Sequence, residues 1–197
     1  MDFFEAVTTR RSRYALSAKS TISDDKLKEI IATAVLNAPS AYNAQPARVV
    51  VLLGQSHKKI WDIAMAALRK IVPADKFART ENKINSFAAA YGTVLFYNDE
   101  DTIKDLQTKY PDYKDNFALW AAQGMGLVQY GLWLALTAQG LGANLQHYNP
   151  LIDEEAAKAF NIPPGWKLLG QMPFGVPAAP PFKKTSKPAE ELVKMLK

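Results

Sequence analysis

Apolar residues repeat with the 3.6-residue period of α-helices in several segments, and elsewhere they form continuous runs typical of buried strands. This pattern predicts helices over residues 2–9, 24–38, 56–71, 101–108, 117–139, 153–160 and 189–196. Strands are predicted over residues 49–53, 92–97, 143–147 and 167–172, the first of them in the interior of a sheet, with irregular chain over 110–116 and 173–188. Strands separated by helices indicate one α/β or α+β domain with a small central sheet, spanning residues 1–197.

The stretch from Asn116 to Ile152 contains no Asp, Glu, Lys or Arg. A membrane span would look similar, but Gln and Gly recur through the helical part of this stretch. We therefore predict a helix buried in a core or in a subunit interface, and no membrane association. A monomer that exposed this surface would be poorly soluble, so a homodimer is expected. The N-terminal residues lack the apolar core of a signal peptide, which predicts a cytoplasmic protein.

Composition narrows the possible functions. The 197 residues, 48% of them hydrophobic, are enough for one domain with a substantial core. The absence of cysteine excludes disulfides, thiolate catalysis and iron–sulfur ligation. The formal charge of +5 favours anionic small molecules. A nucleic-acid-binding module would explain this charge but not the uncharged helix, so no nucleic-acid partner is expected.

Common catalytic and metal-binding motifs are missing. The chain has no phosphate-binding GxxxxGK[ST] loop and no GxSxG nucleophile elbow. Gly140 and Gly142 begin a GxG sequence, but Leu145 stands at the third glycine position and no strand precedes it. His57 and His147 have no acidic or histidine neighbour at ligand spacing, so no metal site is predicted. No residue is predicted to be catalytic.

Two polar segments stand where the chain leaves regular structure. Arg10, Arg11 and Ser12 follow the first helix, and arginine forks bind phosphate or a flavin ring edge. By itself, this tripeptide is more often a solvated charge cluster. The loop Pro39-Ser40-Ala41-Tyr42-Asn43-Ala44-Gln45-Pro46 lies between a helix and a strand, and its amides present both donors and acceptors, as the carbonyl and imide edge of a flavin requires. By itself, the loop is more often turn chemistry.

Together, the two segments resemble the nitroreductase family, in which an RRS-type segment and a PSxxNxQP loop contact FMN. The matching residues are Arg10, Arg11, Ser12, Pro39, Ser40, Asn43, Gln45 and Pro46. The segments RRSRYALS, ARVVVLLG, YGTVLFY and GLGANLQHYNPLID are similar to the fatty-acid-repression-mutant subgroup. The resemblance implies a nitroreductase-like sandwich with a small central mixed sheet flanked by helices, assembled as a homodimer with two FMN sites.

The resemblance also implies a function. It suggests an FMN-dependent oxidoreductase that uses NADH or NADPH to reduce nitroaromatic or quinone acceptors by a ping-pong mechanism, in oxidative or xenobiotic stress. The alternative is a flavin-binding regulatory protein with little turnover. Gln146 and His147 are expected beside the flavin, although they could merely finish a strand. Lys183 and Lys184 stand where relatives carry phosphate-binding cations. Phe117 and Trp120 could roof the substrate pocket or belong to the core.

Overall fold

Five strands form one antiparallel sheet, and eight α-helices surround it. The computed structural model describes all 197 residues. The helices are α1 Phe3–Thr9, α2 Asp24–Leu36, α3 Gly54–Arg69, α4 Phe77–Ala88, α5 Glu100–Lys109, α6 Phe117–Ala138, α7 Asp153–Phe160 and α8 Ala189–Leu192. The strands are β1 Leu16–Ser17, β2 Ala47–Leu53, β3 Gly92–Asp99, β4 Gly142–Ala143 and β5 Trp166–Pro177. Short 3₁₀ helices lie at Ala41–Asn43, Ala74–Lys76 and Pro111–Asn116.

The prediction of a mixed sheet is wrong, because every pair of strands runs antiparallel. The strand order is β1-β5-β3-β2, and β4 pairs with β5. The only parallel pairing is an isolated bridge between Ser12 and Ala143. Between β2 and β3 the chain forms two helices, α3 and α4, which pack on each other. A single crossover helix would return the chain to the start of β2, and the next strand would run parallel to it. The pair of helices instead returns the chain to the end of β2, so β3 starts there and runs antiparallel.

Three further expectations need correction. The run 49–53, predicted as an interior strand, belongs to the edge strand β2; it is continuously apolar because helices cover both faces of the sheet there. The strand predicted at 143–147 pairs only at Gly142–Ala143 and through one bridge between Gln146 and Gln171. Residues 173–177, predicted to be irregular, continue β5. Pro173 is tolerated there because its carbonyl oxygen accepts from Asn144 N, on the side of the strand away from β3. The N–H of a strand residue points to the same side as its carbonyl, so the missing N–H of Pro173 does not interrupt the pairing with β3.

The two faces of the sheet carry separate cores. On one face, α2 and α6 pack on side chains that include Val94, Phe96 and Phe174. On the other face, α3, α4 and α7 pack around Leu95, Tyr97 and Leu168. Successive residues of β3 thus point into opposite cores, as the alternation of a strand requires. Burial on both faces explains why four successive residues of β3, Val94–Tyr97, are apolar.

Helix α6 is buried on one side only. The side facing the sheet includes Met125, Val128, Leu132 and Leu136. The opposite side is exposed and uncharged, and it is formed by Ala118, Leu119, Ala122, Gln123, Gly126, Leu127 and Tyr130. No helix of the chain combines the length and the hydropathy needed to cross a membrane. The exposed side therefore leaves an apolar surface that a monomer does not cover.

His57 is a buried member of a hydrogen-bond network. Its Nε2 lies 3.1 Å from the carbonyl oxygen of Ala88, so Nε2 carries the proton and Nδ1 accepts from the Thr93 hydroxyl at 2.9 Å. Trp61 Nε1 donates to the same hydroxyl oxygen at 2.9 Å. Burial, which disfavours the charged form, lowers the pKa of His57 below its ordinary value of 6.5. The histidine is therefore a neutral structural group in the folded protein.

We expect this histidine to make the protein less stable in mild acid. Below pH 6.5 the unfolded chain takes up a proton at His57 more readily than the folded chain, so the free energy of unfolding falls until the lower pKa of the folded state is reached. The loss is at most about 1.4 kcal/mol for each pH unit. Urea unfolding of the wild type and of His57→Gln at pH 7.5 and 5.5 measures it. Equal losses in the two proteins would contradict the prediction.

Candidate functional site

Arg10 lies at the end of α1, against helix α6. Its guanidinium carbon is 4.7 Å from the centre of the Trp133 ring, which places the cation over the aromatic face. Arg10 Nε and Trp133 Nε1 are both buried, and neither has a hydrogen-bond partner within the chain. Buried polar atoms normally have partners. These two atoms therefore mark a place where a ligand or a second copy of the chain can complete the hydrogen bonding.

The backbone after Arg10 is bonded to the segment around β4. Arg13 N donates to the carbonyl oxygen of Ala143 at 2.9 Å, and Asn144 Nδ2 donates to the carbonyl oxygen of Arg13 at 2.8 Å. A Cβ atom on Gly142 would lie 2.8 Å from Arg13 Cγ, so glycine permits this close approach. The predicted residues Ser12 and Gln146 are thereby brought to the same edge of β5.

A chain of buried amides fixes the position of Gln146 and His147. Gln146 Nε2 donates to Asn144 Oδ1 at 2.8 Å, and the backbones of Gln146 and Gln171 bond in both directions. The side chain of Gln171 accepts from Tyr148 N at 2.7 Å. His147, between these anchors, is exposed. The sequence analysis missed the two supporting amides, Asn144 and Gln171. Each is an amide residue inside an otherwise apolar segment, and that contrast was the signal that could have identified it.

The C-terminal segment reaches the same region. Arg11 Nη2 donates to the carbonyl oxygen of Phe182, directly before Lys183 and Lys184. Both lysine side chains are exposed. Hydrogen bonds thus link the segment Arg10 to Ser12 both to the segment of Gln146 and His147 and to the chain before the lysine pair, and we call these predicted residues the cationic group.

The loop Pro39–Pro46, which we call the amide loop, has an unusual backbone. Tyr42, Asn43 and Gln45 have φ values of 53°, 51° and 52°, the left-handed region that costs a residue with a side chain roughly 1–2 kcal/mol. Ser40 Oγ accepts from Gln45 N at 2.9 Å, and Gln45 Nε2 donates to Asn43 Oδ1 at 3.0 Å. The Asn43 Nδ2 donor and the Gln45 Oε1 acceptor keep no partner in the chain. This strained loop presents a free donor beside a free acceptor.

An open pocket of about 450 Å³ lies beside the amide loop. Tyr42, Trp120, Gln123 and Leu127 line it. Tyr42 is stacked on Tyr110, with ring centroids 4.4 Å apart. Of the two aromatic residues proposed as a roof, Trp120 lines this pocket, whereas Phe117 is only 1% exposed and belongs to the core. The lining suits a flat aromatic molecule.

The amide loop and the cationic group do not meet within one chain. Both lie against α6, the loop beside Gly124 and the cationic group at Trp133. Nine residues of helix separate these positions, which corresponds to roughly 13 Å. No hydrogen bond joins the two groups. The predicted site residues therefore form two groups on one helix rather than one cluster.

Comparison with known proteins identifies the family. The model of the nitroreductase family matches residues 7–176. The chain belongs to the nitroreductase family. Nitroreductase FRM2 of Saccharomyces cerevisiae is 36% identical over 186 residues, which cover 93% of this chain and 92% of FRM2. This relative agrees with the subgroup to which the sequence motifs are similar.

Solved structures agree with this family membership. Nitroreductase CinD from Lactococcus lactis, in complex with chloramphenicol, has a TM-score of 0.91 and 39% identity, with all of both chains covered. CinD has also been solved with 4-nitrophenol, at a TM-score of 0.90 and 40% identity over the same coverage. A structure from Exiguobacterium sibiricum in complex with FMN shares the fold at a TM-score of 0.74 and 17% identity, covering 100% of this chain and 98% of its own.

The strain at Gln45 can be measured by comparing two substitutions. Both Gln45→Ala and Gln45→Gly remove the amide, but only glycine adopts a φ of 52° without steric cost. We expect Gln45→Gly to be about 1 kcal/mol more stable to urea unfolding than Gln45→Ala. Equal stabilities would show that the backbone at Gln45 is relaxed.

Proposed function

We propose that this member of the nitroreductase family is an FMN-dependent NAD(P)H oxidoreductase that reduces nitroaromatic or quinone acceptors. The observation that carries the proposal is the amide loop, which holds a free donor and a free acceptor and whose Tyr42 lines an open aromatic pocket. The loop holds three left-handed residues, and two of them, Tyr42 and Gln45, are residue types that rarely adopt this conformation. Strained backbone of this kind is concentrated at functional sites.

The residues present fit FMN. Arg10 has a buried Nε without a partner and would face the pyrimidine edge of the ring, where Asn43 and Gln45 would meet the carbonyl and imide atoms. Arg11, Ser12, Lys183 and Lys184 would hold the phosphate, because they supply cationic and hydroxyl donors on two segments that the bond from Arg11 to the Phe182 carbonyl joins. The roles of Pro39 and Ser40 are to shape the amide loop.

The protein's own contribution is orientation and electrostatics. FMN, when bound, supplies the redox chemistry by taking hydride from a nicotinamide donor and passing electrons to the acceptor. The amide loop would fix the ring position, and the cation of Arg10 would stabilise negative charge at the ring edge. Gln146 and His147 would border the ring on the strand side. No protein acid or base is required, so we assign no catalytic residue.

A homodimer would bring the two groups of site residues together. In one chain they lie about 13 Å apart along α6. The exposed side of that helix is uncharged and carries Leu119, Leu127 and Tyr130, with exposed fractions of 58%, 49% and 43%. Pairing two copies on this side would bury apolar surface and place the amide loop of one copy near the cationic group of the other. Each FMN site would then be built by both chains.

The acceptor proposal rests on the shape and lining of the pocket. Tyr42 and Trp120 present aromatic faces beside the amide loop, and such faces stack with planar rings. The relative CinD binds chloramphenicol and 4-nitrophenol, which are both nitroaromatic compounds. A nitroaromatic or quinone ring would therefore fit above the flavin position in this chain.

The proposal is tested by the visible spectrum and by turnover. Purified protein incubated with FMN and freed of excess ligand should be yellow and should release FMN on denaturation. It should oxidise NADH or NADPH when a nitroaromatic compound or a quinone is added. Bound FMN without turnover would favour the regulatory alternative, and failure to retain FMN would contradict both functions.

Substitution of Arg10 should alter the reduction potential of bound FMN. A cation at the pyrimidine edge favours the form of the ring with more negative charge, so Arg10→Ala should lower the potential by about 30 mV for each 1.4 kcal/mol lost. Lys183→Ala and Lys184→Ala should instead weaken FMN binding and leave the potential unchanged. Potentiometric titration distinguishes the two effects. Equal shifts in all three variants would make Arg10 one more phosphate contact.

A further inference from the structure

One arginine on the edge strand β2 bonds the amide loop to a carboxylate. Arg48 Nη1 donates to the carbonyl oxygen of Gln45 at 2.7 Å, and Arg48 Nη2 donates to Asp99 Oδ2 at 2.7 Å. Arg48 Nη1 is also 3.1 Å from the carbonyl oxygen of Ala47. The planar guanidinium holds the carbonyl and the carboxylate on two separate nitrogens in a fixed geometry, whereas lysine offers one nitrogen on a flexible chain.

Asp99 is itself fixed where β3 ends and α5 begins. Its Oδ1 accepts from the backbone nitrogens of Asp101 and Thr102, and its Oδ2 accepts from the Thr102 hydroxyl at 3.1 Å. The backbone nitrogen of Asp99 donates to the carbonyl oxygen of Pro46 at 2.8 Å. Burial opposes ionisation of Asp99, but its bonds to Thr102 and the charge of Arg48 outweigh burial and lower its pKa. The carboxylate is therefore charged at neutral pH and held by several hydrogen bonds.

The carbonyl that Arg48 holds belongs to a strained residue. Gln45 has a φ of 52°, and Ser40 Oγ holds its backbone nitrogen while Arg48 holds its carbonyl oxygen. Both peptide groups of the residue are thus restrained from outside. Without the bond to Arg48, one restraint fewer opposes the relaxation of Gln45 to a negative φ, which sterics favour. That change would turn its amide away from Asn43.

We propose that Arg48, anchored by Asp99, is a positioning residue that keeps Gln45 in the conformation in which its amide meets FMN. This role rests on the proposed function, because it concerns the same site. Arg48 donates no hydrogen bond to the Gln45 side chain, so it acts on the site through the backbone of Gln45. It follows that the effect of Arg48 on FMN should depend on the presence of the Gln45 amide.

A double-mutant cycle tests this dependence. The FMN dissociation constant is measured by flavin fluorescence for the wild type, Arg48→Met, Gln45→Ala and the double variant. We expect each single substitution to weaken binding about tenfold, which is the loss of roughly one hydrogen bond to a charged or buried group. The double variant should also be about tenfold weaker, because residues that act through one another are not additive. A general structural defect would give about a hundredfold loss.

Control variants separate the role of Arg48 from the loss of any arginine. Arg69→Met is a matched control, because both arginines form an ion pair and lie near an aromatic ring. Arg48 pairs with Asp99 and is 5.8 Å from the centre of the Trp166 ring, and Arg69 pairs with Glu81 and is 4.3 Å from the centre of the Phe77 ring. It should leave FMN affinity unchanged. Arg48→Lys should not fully restore affinity, because lysine has one rotatable nitrogen where Arg48 uses two fixed ones, Nη1 for the Gln45 carbonyl and Nη2 for Asp99. Asp99→Asn keeps an oxygen to cap α5 but loses the charge, so it should weaken FMN binding in the same direction.

The outcomes distinguish this inference from the function on which it rests. A wild-type protein that fails to bind FMN would contradict the proposed function and this role together. If the wild type binds FMN and Arg48→Met binds it equally well, only the positioning role is overturned. Additive losses in the double variant also overturn it. Urea unfolding of each variant confirms that the proteins compared are folded, and Arg48→Lys and Asp99→Asn carry the test if Arg48→Met does not fold.

Discussion

The packing of α6 on the sheet is the contact on which the rest of the structure depends. Its core side covers the face formed by Val94, Phe96 and Phe174. This contact buries the apolar residues on one side of a helix that has no charged residue. Once α6 is fixed there, the chain on either side of it is placed as well. The amide loop lies against its first half, and the end of α1 lies against its second half. The geometry of both candidate groups therefore follows from one helix-to-sheet interface.

The sequence predicted those elements whose signal is local. Helix periodicity located α2, α3, α6 and α7, and a run of apolar residues located β3, because burial on both faces requires that composition. The direction of the strands was not predictable in this way, since it depends on two helices packing together between β2 and β3. The two-residue strand β1 is too short to leave a pattern. Pro173 suggested irregular chain, because a proline lacks the N–H that a strand normally donates. Whether that missing N–H faces a neighbouring strand depends on the tertiary structure, which the sequence does not show.

The candidate site shows the same division. The segments Arg10–Ser12 and Pro39–Pro46 were located because charged and amide residues stand out at the ends of elements. The partition of these residues into two groups on α6 was not visible, because it requires the three-dimensional course of the chain. The sequence also gave no sign of Arg48 or Asp99 as supports. An arginine at the start of a strand and an aspartate at the start of a helix are each ordinary, and only their contact with the Gln45 carbonyl distinguishes them.

The separation of the two groups on α6 has a genetic consequence. Suppose that each site combines the amide loop of one chain with the cationic group of the other. One chain can then carry a defective amide loop while its partner carries a defective cationic group. A mixed dimer of the two would contain one site with both defects and one site with none. Two alleles that are inactive alone would then complement each other in one cell, because each mixed dimer would keep about half of the normal activity. Selection on either group would therefore act on pairs of chains, because activity would be a property of the dimer rather than of the single polypeptide.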